Sequence, residues 1–365
     1  MPSSAGSYTQ DNRPIAVSTP LGKDVLLLEQ VSGTEKLSGL FTFELSMLAL
    51  DSADVDFQKV VGQSVTVTLR AGGGELSPRY LNGFVRRFRQ GERVTGEDGF
   101  SEFVRYRAEV VPKVWLLTRV TQSRIFQQLS VPDILKKVFT GYDVSYQLSG
   151  EYPTRDYCTQ YRETDFDFAS RLMEEEGIYY FFKHTDGGHK LVLADTPQGH
   201  PDIVGGAEVN YHVLGATSGQ SIDDGERVFD FLKTQEVRSG KETLWDYSFE
   251  MPTTKLQATQ AIVSTVEVGT VSHSLTAGGN SGLERFDYPG RFAQRFDGVS
   301  PGGGDRAADL QKINPDGERT VKLRMQEETW PAVTIEGDGD CRQFSAGHAF
   351  NLQKHPNADG KYVFV

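Results

Sequence analysis

The stretch from residue 157 to residue 195 constrains the fold more than any other part of the 365-residue chain. Thr164 is suited to cap a helix, because its hydroxyl can accept a hydrogen bond from an unpaired N–H of the first turn. Phe168 and Leu172 recur at helical spacing, and Gly177 stands where a left-handed residue commonly ends a helix. The pattern predicts a helix followed by a β-hairpin, because β-branched and aromatic runs flank a Gly-rich turn, with strands at residues 178–182 and 190–194.

Three consecutive glutamates, Glu174 to Glu176, end this helix, where the helix dipole disfavours negative charge. Arg171 lies at three or four residues' spacing from Glu174 and Glu175, which offsets part of that cost. We favour a solvated acidic face, because exposed charge effects of this kind are small. The alternative is that these carboxylates meet a basic group from another domain or subunit.

Charge and cysteine content exclude several classes of protein. The 50 acidic residues exceed the 38 basic ones, and a net charge of −12 makes nucleic acid an unfavourable partner. Cys158 and Cys341 lie far apart, so we expect buried free thiols rather than a disulfide framework or a metal site. The chain begins without a secretory signal, and its longest apolar runs are too short to span a bilayer. If this protein leaves the cell, we expect it to do so by a route that needs no signal peptide.

Short strands and turn residues divide the chain into four predicted parts, and the fold class is mainly β with an α+β insertion. Residues 1–13 are polar and predicted to form a disordered tail. Residues 14–118 carry short alternating runs that predict a first small β-barrel. Residues 119–200 form an α/β segment, and residues 201–365 return to short strands, which we interpret as a second small β-barrel with long loops.

Several individual elements are predicted within these parts. Ser130–Gly141 reads as a capped helix, with a proline in its first turn. In the last part, Gln257–Val268 is either a helix or a broken strand. Asp305–Ile313 is predicted to be a short helix before Pro315, and Arg319–Glu327 is predicted to be a strand.

The histidines and acidic turns give no strong metal signal. His184, His189 and His200 form only a loose cluster, without the paired spacing and third strong ligand of zinc sites. We therefore predict a hairpin with histidines near its turn. Glu336 to Asp340 resembles part of a calcium loop, but the expected glycine and closing glutamate are misplaced, so a tight turn is predicted.

No catalytic constellation rises above background, and we predict no catalytic, cofactor-binding or metal-binding residues. No Gly-x-Ser-x-Gly elbow is present, and Cys158 lies among acids and tyrosines rather than in a basic environment. Asp167 and Glu174 are about two helical turns apart, too far to form one carboxylate pair. The rings of Tyr179–Phe182 alternate between two faces of a strand, so we expect one face in the core and the other under a neighbouring domain. The chain is therefore not expected to be an enzyme.

The central unit closely resembles the signature of the VgrG family, the spike proteins of type VI secretion. The family's Gln-Tyr-Arg-Glu segment stands at Gln160–Glu163, and its Arg-Leu-Met-Glu-Glu-Glu-Gly-Ile-Tyr-Tyr-Phe run stands at Arg171–Phe181. The resemblance spans roughly residues 22–365 and includes further matching blocks at Gly39–Leu45, Arg79–Gly83, Tyr106–Pro112, Ser123–Gln127, Asp287–Phe292 and Gly347–Leu352.

The resemblance implies a hub similar in fold to the baseplate hub of contractile phage tails. Three subunits with two barrels each would form a pseudo-six-fold ring that sits on the hexameric tube protein Hcp. Baseplate components and effector or adaptor proteins would be further partners, and sheath contraction would drive the spike through the target-cell envelope. Such a protein is cytoplasmic during assembly and is then secreted. The family continues into an OB-fold neck and a β-helix needle, and the final apolar run, Lys361–Val365, predicts a cut before both.

Three other functions remain open from the residues. The nearest is the baseplate hub of a contractile phage or of a phage-derived injection device. The second is an effector enzyme joined to a spike, and the third is a carbohydrate- or peptide-binding β module.

Overall fold

The computed structural model of the protein describes residues 8–70, 77–96, 99, 102–212, 227–299 and 304–365. A single antiparallel sheet of six strands, in the order β1-β4-β5-β6-β3-β2, builds the first part. The sheet curls into a nearly closed barrel because its outer strands, β1 and β2, come into contact. The six strands are β1 Ile15–Ser18, β2 Leu27–Thr34, β3 Thr42–Leu50, β4 Ser64–Leu69, β5 Arg79–Thr95 and β6 Glu102–Val111.

The side chain of Gln10 bridges the gap between β1 and β2. Its Oε1 accepts hydrogen bonds from the backbone N–H of Val17 at 3.0 Å and of Leu28 at 2.9 Å. Its Nε2 donates to the backbone oxygens of Val17 at 3.2 Å and Leu26 at 3.1 Å. The amide acts as a substitute peptide group and satisfies strand groups that would otherwise lack partners. The predicted disordered tail is therefore corrected for residues 8–13, while residues 1–7 lie outside the described residues.

The α/β segment follows the predicted pattern of helices and strands. Ser130 accepts a hydrogen bond from the Asp133 N–H at the start of the first helix, and Thr164 accepts one from the Asp167 N–H at the start of the second. Gly177 ends the second helix with φ of 69°, the left-handed conformation that glycine adopts without strain. The elements are β7 Thr121–Leu129, α1 Val131–Val138, β8 Val144–Gln147, β9 Arg155–Thr164, α2 Asp165–Glu176, β10 Tyr179–Thr185 and β11 Gly188–Ala194.

These strands form two sheets beside the barrel. The hairpin of β10 and β11 pairs in parallel with β8, and β7 pairs antiparallel with β9. One continuous apolar core extends from Val17 in the barrel to Leu193 in the hairpin. The barrel and the α/β segment therefore share a core and form one packed region.

The strands after residue 200 are divided among four smaller sheets rather than one hydrogen-bonded barrel, within the described residues. Their orders are β13-β12-β21-β22, β14-β20, β16-β15-β19 and β17-β18. The strands are β12 Glu208–Tyr211, β13 Arg227–Val228, β14 Leu232–Gln235, β15 Lys241–Asp246, β16 Leu256–Ala261, β17 Thr265–Val268, β18 Val271–Ser274, β19 Glu284–Asp287, β20 Val333–Glu336, β21 Ala349–Gln353 and β22 Gly360–Val363. The mainly β class is confirmed, and Gln257–Val268 is a broken strand.

A long helix, α3 Ile313–Thr329, replaces the strand predicted at Arg319–Glu327. Pro315 lies in its first turn, where a missing N–H is tolerated. The helical pattern is weak in the sequence because polar and small residues stand among the apolar ones on the buried face of the helix. A Cβ added at Gly317 would lie 2.8 Å from the Phe292 ring, so the helix packs too closely for a larger side chain there.

Short 3-10 turns connect these elements, and two small apolar cores stabilise the last part. One core lies between α3 and the β16-β15-β19 sheet around Phe292, and the other lies around Phe350 in the β13-β12-β21-β22 sheet. The 3-10 turns are Phe57–Lys59, Lys113–Arg119, Pro197–Gly199, Ala277–Gly282, Ala293–Arg295, Ala307–Lys312 and Trp330–Ala332.

Candidate functional site

The most concentrated charged site is a buried cluster that joins α2 to the last part of the chain. We call it the junction cluster, and it comprises Arg155, Glu175, Glu176, Arg295, Asp316 and Arg319. The side chains of Arg155, Glu176, Arg295 and Asp316 are all more than nine-tenths buried. Buried charges are costly unless paired, so the cluster requires all its partners to be in place.

The ion pairs of the junction cluster run from β9 through α2 to α3. Arg155 contacts Glu175 at 2.7 Å and also pairs with Glu176. Arg319 of α3 contacts Glu176 at 2.5 Å and donates to its backbone oxygen at 3.1 Å. The favoured interpretation of a solvated acidic face is therefore wrong for Glu175 and Glu176, which meet basic groups from the C-terminal part. Glu174 alone is exposed.

A second link within the junction cluster passes through Arg295. This guanidinium contacts Asp316 of α3 at 2.7 Å, donates to Thr320 at 3.2 Å and lies 3.9 Å from Glu175. Burial alone would raise the pKa of Glu175, but the charges of Arg155 and Arg295 outweigh it and hold that pKa below its usual value. Burial raises the pKa of Asp316 despite the neighbouring Arg295. The cluster is thus sensitive to acid through Glu175.

The predicted histidine cluster joins the hairpin to its neighbours. His189 Nδ1 donates to Asn82 Oδ1 at 2.7 Å, and its Nε2 accepts from the Lys113 backbone N–H at 2.9 Å. Both ring nitrogens are occupied in the neutral form, and burial and the nearby His184 lower the pKa of His189 to about 4. His200 instead hydrogen-bonds the Gly347 oxygen at 2.9 Å. The three histidines connect elements of the fold, and none lies in a group of potential metal ligands among the described residues.

The barrel also holds the C-terminal part through Glu35. This carboxylate pairs with Arg79, accepts a hydrogen bond from Ser345 at 3.0 Å and lies 3.5 Å from His184. Burial alone would raise the pKa of Glu35, but His184 and Arg79 outweigh it and lower that pKa. The arrangement anchors the segment around Ser345 to the barrel.

The aromatic run of β10 is divided between two faces as expected. Tyr180 and Phe182 belong to the core shared with the barrel. Tyr179 stacks on His200 at 4.6 Å between ring centroids, and Phe181 meets His348 at 5.5 Å. The second face therefore lies under the C-terminal part.

The other candidate sites considered from the sequence have structural roles. Burial raises the pKa of the Cys158 thiol, which disfavours the thiolate needed for nucleophilic chemistry. Cys341 is partly exposed. In the predicted acidic turn, Asp340 accepts a hydrogen bond from the Arg227 N–H at 2.6 Å. Among the helices that the structure describes, none has the length and apolarity to cross a bilayer.

A groove of about 600 Å³, lined by both arginines and glutamates, lies on the barrel and was not identified from the sequence. Arg89 of β5 stands directly opposite Arg107 of β6, although like charges in that register destabilise a sheet. Arg87 in the next row has Glu109 at 3.7 Å. The alternation of arginines in Arg87-Phe-Arg89 and Arg105-Tyr-Arg107 is the signal from which this face could have been found.

Comparison with known proteins places this arrangement in a family. The phage tail baseplate hub (GPD) family matches residues 34–365, which is most of the chain. The chain belongs to the phage tail baseplate hub family. It is 34% identical over 357 residues to the type VI secretion system spike protein VgrG1c of Pseudomonas aeruginosa, covering 96% of this chain and 43% of that protein. It is 35% identical over 353 residues to VgrG1a of the same organism, covering 96% and 48%.

The predicted resemblance to VgrG proteins is confirmed by these relatives, which are named as spike proteins rather than enzymes. The chain spans less than half the length of either relative. Two solved structures share the fold. An E. coli protein described as a component of the type VI secretion system, c3393, gives a TM-score of 0.54 at 17% identity, covering 93% of this chain and 67% of that one. A tail protein from Neisseria meningitidis gives 0.54 at 13% identity, covering 96% and 89%.

Proposed function

We propose that this hub protein is part of a type VI secretion spike, in which three copies form a ring that docks on the Hcp tube. The family match over residues 34–365, together with 34–35% identity to two spike proteins, carries the proposal. Each subunit contributes two β-rich regions, so three subunits present six. Such a ring is suited to a hexameric tube, because the number of repeated surfaces on the two partners is equal.

The proposed role is mechanical. The hub joins the tube to a needle, accepts effector or adaptor proteins, and is assembled on baseplate components in the cytoplasm. Sheath contraction then drives it through the target-cell envelope, so export needs no signal peptide. The junction cluster supports this role, because buried ion pairs between α2 and α3 hold the two parts of the subunit together under load.

The test is a measurement of molar mass by light scattering, followed by co-sedimentation with assembled Hcp rings. We expect a mass of three times 40.5 kDa and binding of one ring per trimer. Ovalbumin at the same concentration serves as a control for nonspecific sedimentation. A monomer that fails to bind Hcp rings would overturn the proposal.

The second candidate is the baseplate hub of a contractile phage or a phage-derived device. The similarity to a Neisseria tail protein over 96% of this chain favours it. Binding to a phage tail-tube protein but not to Hcp would establish this alternative over the secretion spike.

A further inference from the structure

A segment of the C-terminal part leaves its own strands and lies on the barrel. It connects β20 to β21, and we call these residues, 337–348, the strap. Hydrogen bonds hold the strap on the barrel. They join Arg342 to Arg79, Gln343 to Ser77 and Ser345 to Glu35, each at 3.0 Å, and Arg342 also donates to the Arg70 backbone oxygen. Each such bond contributes little net free energy because water can replace it, so the strap can leave the barrel without unfolding either side.

The last residue of the strap, His348, has its ring buried against the hairpin. The residue is 8% exposed, and its ring centroid lies 5.5 Å from that of Phe181 in β10. Its Nδ1 donates to the Ala346 backbone oxygen at 3.1 Å, a bond that the neutral ring can make. A Cβ added at Gly347 would collide with the Phe181 ring, so the strap packs closely at this point. The docked strap therefore holds a neutral imidazole in a buried place.

Two cations face His348 from neighbouring strands. Lys183 lies on the same face of β10 as Phe181, and its Nζ is 5.9 Å from the centroid of that ring. Arg79 approaches from β5, and both cations oppose a proton on His348. Burial of the ring opposes the proton most, so the pKa of His348 is lowered while the strap is docked.

The carboxylate that favours this proton already has other partners. Glu35 pairs with Arg79 and accepts a hydrogen bond from Ser345, and it also lies 3.5 Å from His184 Nε2. A turn of Glu35 toward His348 would break the contacts that hold the strap. The region contains two further titratable or charged groups, which are His200, whose Nδ1 donates to the Gly347 oxygen at 2.9 Å, and Arg342 of the strap. A proton on His348 is therefore poorly compensated while the strap is docked.

We propose that acid releases the strap: the docked strap connects the C-terminal part to the barrel while His348 is neutral, and a proton on this ring undocks it. After release the ring is in water and takes up a proton near its ordinary pKa of 6.5. Docking is therefore most favourable above pH 6.5 and weakens as the pH falls below that value. The junction cluster still links α2 to α3, so release loosens the subunit without separating its two halves. The contact lies within one subunit and does not depend on trimer formation or on Hcp.

The size of the effect follows from the uptake of one proton. A ring that is protonated only after release raises the equilibrium constant for undocking by about 25-fold between pH 7 and pH 5. Partial protonation of the docked ring makes this rise smaller. We therefore expect undocking to increase by about ten- to 25-fold over this range.

Hydrogen exchange with mass spectrometry measures undocking in the whole chain at pH 7 and pH 5. The Phe344 and His348 amides are hydrogen-bonded within the strap, so their exchange reports its opening. Dividing each rate by the intrinsic exchange rate at the same pH gives a protection factor. We expect protection in residues 341–348 to be about ten- to 25-fold lower at pH 5 than at pH 7, while protection in β6 of the barrel is unchanged.

Two variants assign this ratio of protection factors to His348. His348→Asn keeps an N–H donor for the Ala346 oxygen but cannot take up a proton, so we expect a ratio below about threefold. His212→Asn is its control and keeps the wild-type ratio, because His212 lies outside the strap. Lys183→Met removes a cation that opposes the proton in the docked state, so its ratio falls between those of the wild type and His348→Asn. Lys137→Met, at an exposed position on α1, is the control for the loss of a lysine.

The comparison of pH 7 with pH 5 within each protein separates a switch from a structural role, because a variant that only weakens the strap loses protection at both values. Equal protection at pH 7 and pH 5 in the wild type overturns the proposal. A wild-type ratio in His348→Asn also overturns it and assigns the acid response to another group. If His348→Asn leaves the strap unprotected at pH 7, Lys183→Met decides the question, and a wild-type ratio in that variant overturns the proposal.

Discussion

The two halves of this hub are stabilised in different ways. The barrel and α/β segment share one apolar core from Val17 to Leu193, whereas the C-terminal part has two small cores and four small sheets among its described residues. The first half therefore has enough buried apolar surface to fold as a unit. The second half depends on the junction cluster and on contacts with the barrel. The half with the smaller cores is therefore the half that relies on contacts with the other.

The largest expected effect comes from removing one buried ring in each half. Phe168→Ala and Phe292→Ala each remove an almost completely buried phenylalanine, at a cost of about 3–5 kcal/mol in the free energy of unfolding. We expect Phe168→Ala to destabilise the whole chain and Phe292→Ala to expose only residues beyond 200. Limited proteolysis with mass spectrometry measures which half is cut, and equal cleavage of both halves in Phe292→Ala would contradict the comparison.

Removing the charge of one arginine disrupts the junction cluster. Arg155→Met leaves Glu176 buried with one fewer cation, which we expect to lower the free energy of unfolding by about 3 kcal/mol. Urea denaturation measures this value. Arg162→Met on the same strand is the control, because Arg162 is exposed and its loss should change stability by less than about 0.5 kcal/mol. Equal effects of the two variants would show that the cluster contributes no more than a surface charge.

The Gln10 bridge between β1 and β2 tests whether the first half is stabilised by its own contacts. Gln10→Ala removes the hydrogen bonds that this side chain makes to two N–H groups and two carbonyls in β1 and at the start of β2, and we expect the free energy of unfolding to fall by about 2–3 kcal/mol. Gln63→Ala is the control, since this glutamine is exposed. Hydrogen exchange at the amides of Val17 and Leu28 should accelerate in Gln10→Ala and not in the control. Unchanged exchange rates at both amides would show that Gln10 does not stabilise the contact between β1 and β2.

The smallest expected effect is a pH dependence at the hairpin. The pKa of His189 is lowered to about 4 in the folded protein, so the unfolded chain binds the proton first as the pH falls. Its contribution is complete above the unfolded pKa near 6.5 and is lost as the pH falls toward 4, which amounts to about 2 kcal/mol between pH 7 and pH 5.

The variant His189→Asn isolates this contribution. Urea denaturation at pH 7 and pH 5 should show a smaller loss of stability on acidification in the variant than in the wild type. His212→Asn serves as the control because this histidine lies outside the hairpin. The same slope in all three proteins would assign the acid sensitivity to other groups, such as Glu175.

Local signals were enough to predict α1, α2 and the β10–β11 hairpin. Ser130, Thr164 and Gly177 act on their own neighbours in sequence, so their roles are visible without the fold. The family resemblance supplied the hub architecture, which no short pattern reveals. Long-range contacts were missed because their partners lie far apart in sequence. Gln10 is an ordinary polar residue in a polar stretch, and only its position between two strands gives it a role.

Only part of the junction cluster could be predicted from the sequence, for the same reason. The crowded glutamates at the end of α2 indicated that these carboxylates need cationic partners. Two of those partners, Arg295 and Arg319, come from segments more than a hundred residues later. The helix α3 was predicted as a strand because Asp316, Gly317 and Thr320 interrupt the apolar residues of its buried side. The arginine pair Arg89 and Arg107 needed a known strand register before it could be recognised.

The bridging amide of Gln10 also limits where the N-terminal segment of this protein can be altered. A fluorescent label or affinity tag attached ahead of Tyr8 leaves the bridging amide in place, so the barrel keeps its closure. Cleavage between Gln10 and Asp11 frees that amide from the chain and leaves β1 and β2 as open strand edges, which are sites of aggregation. The position of a tag or cleavage site relative to Gln10 therefore decides whether the barrel stays closed.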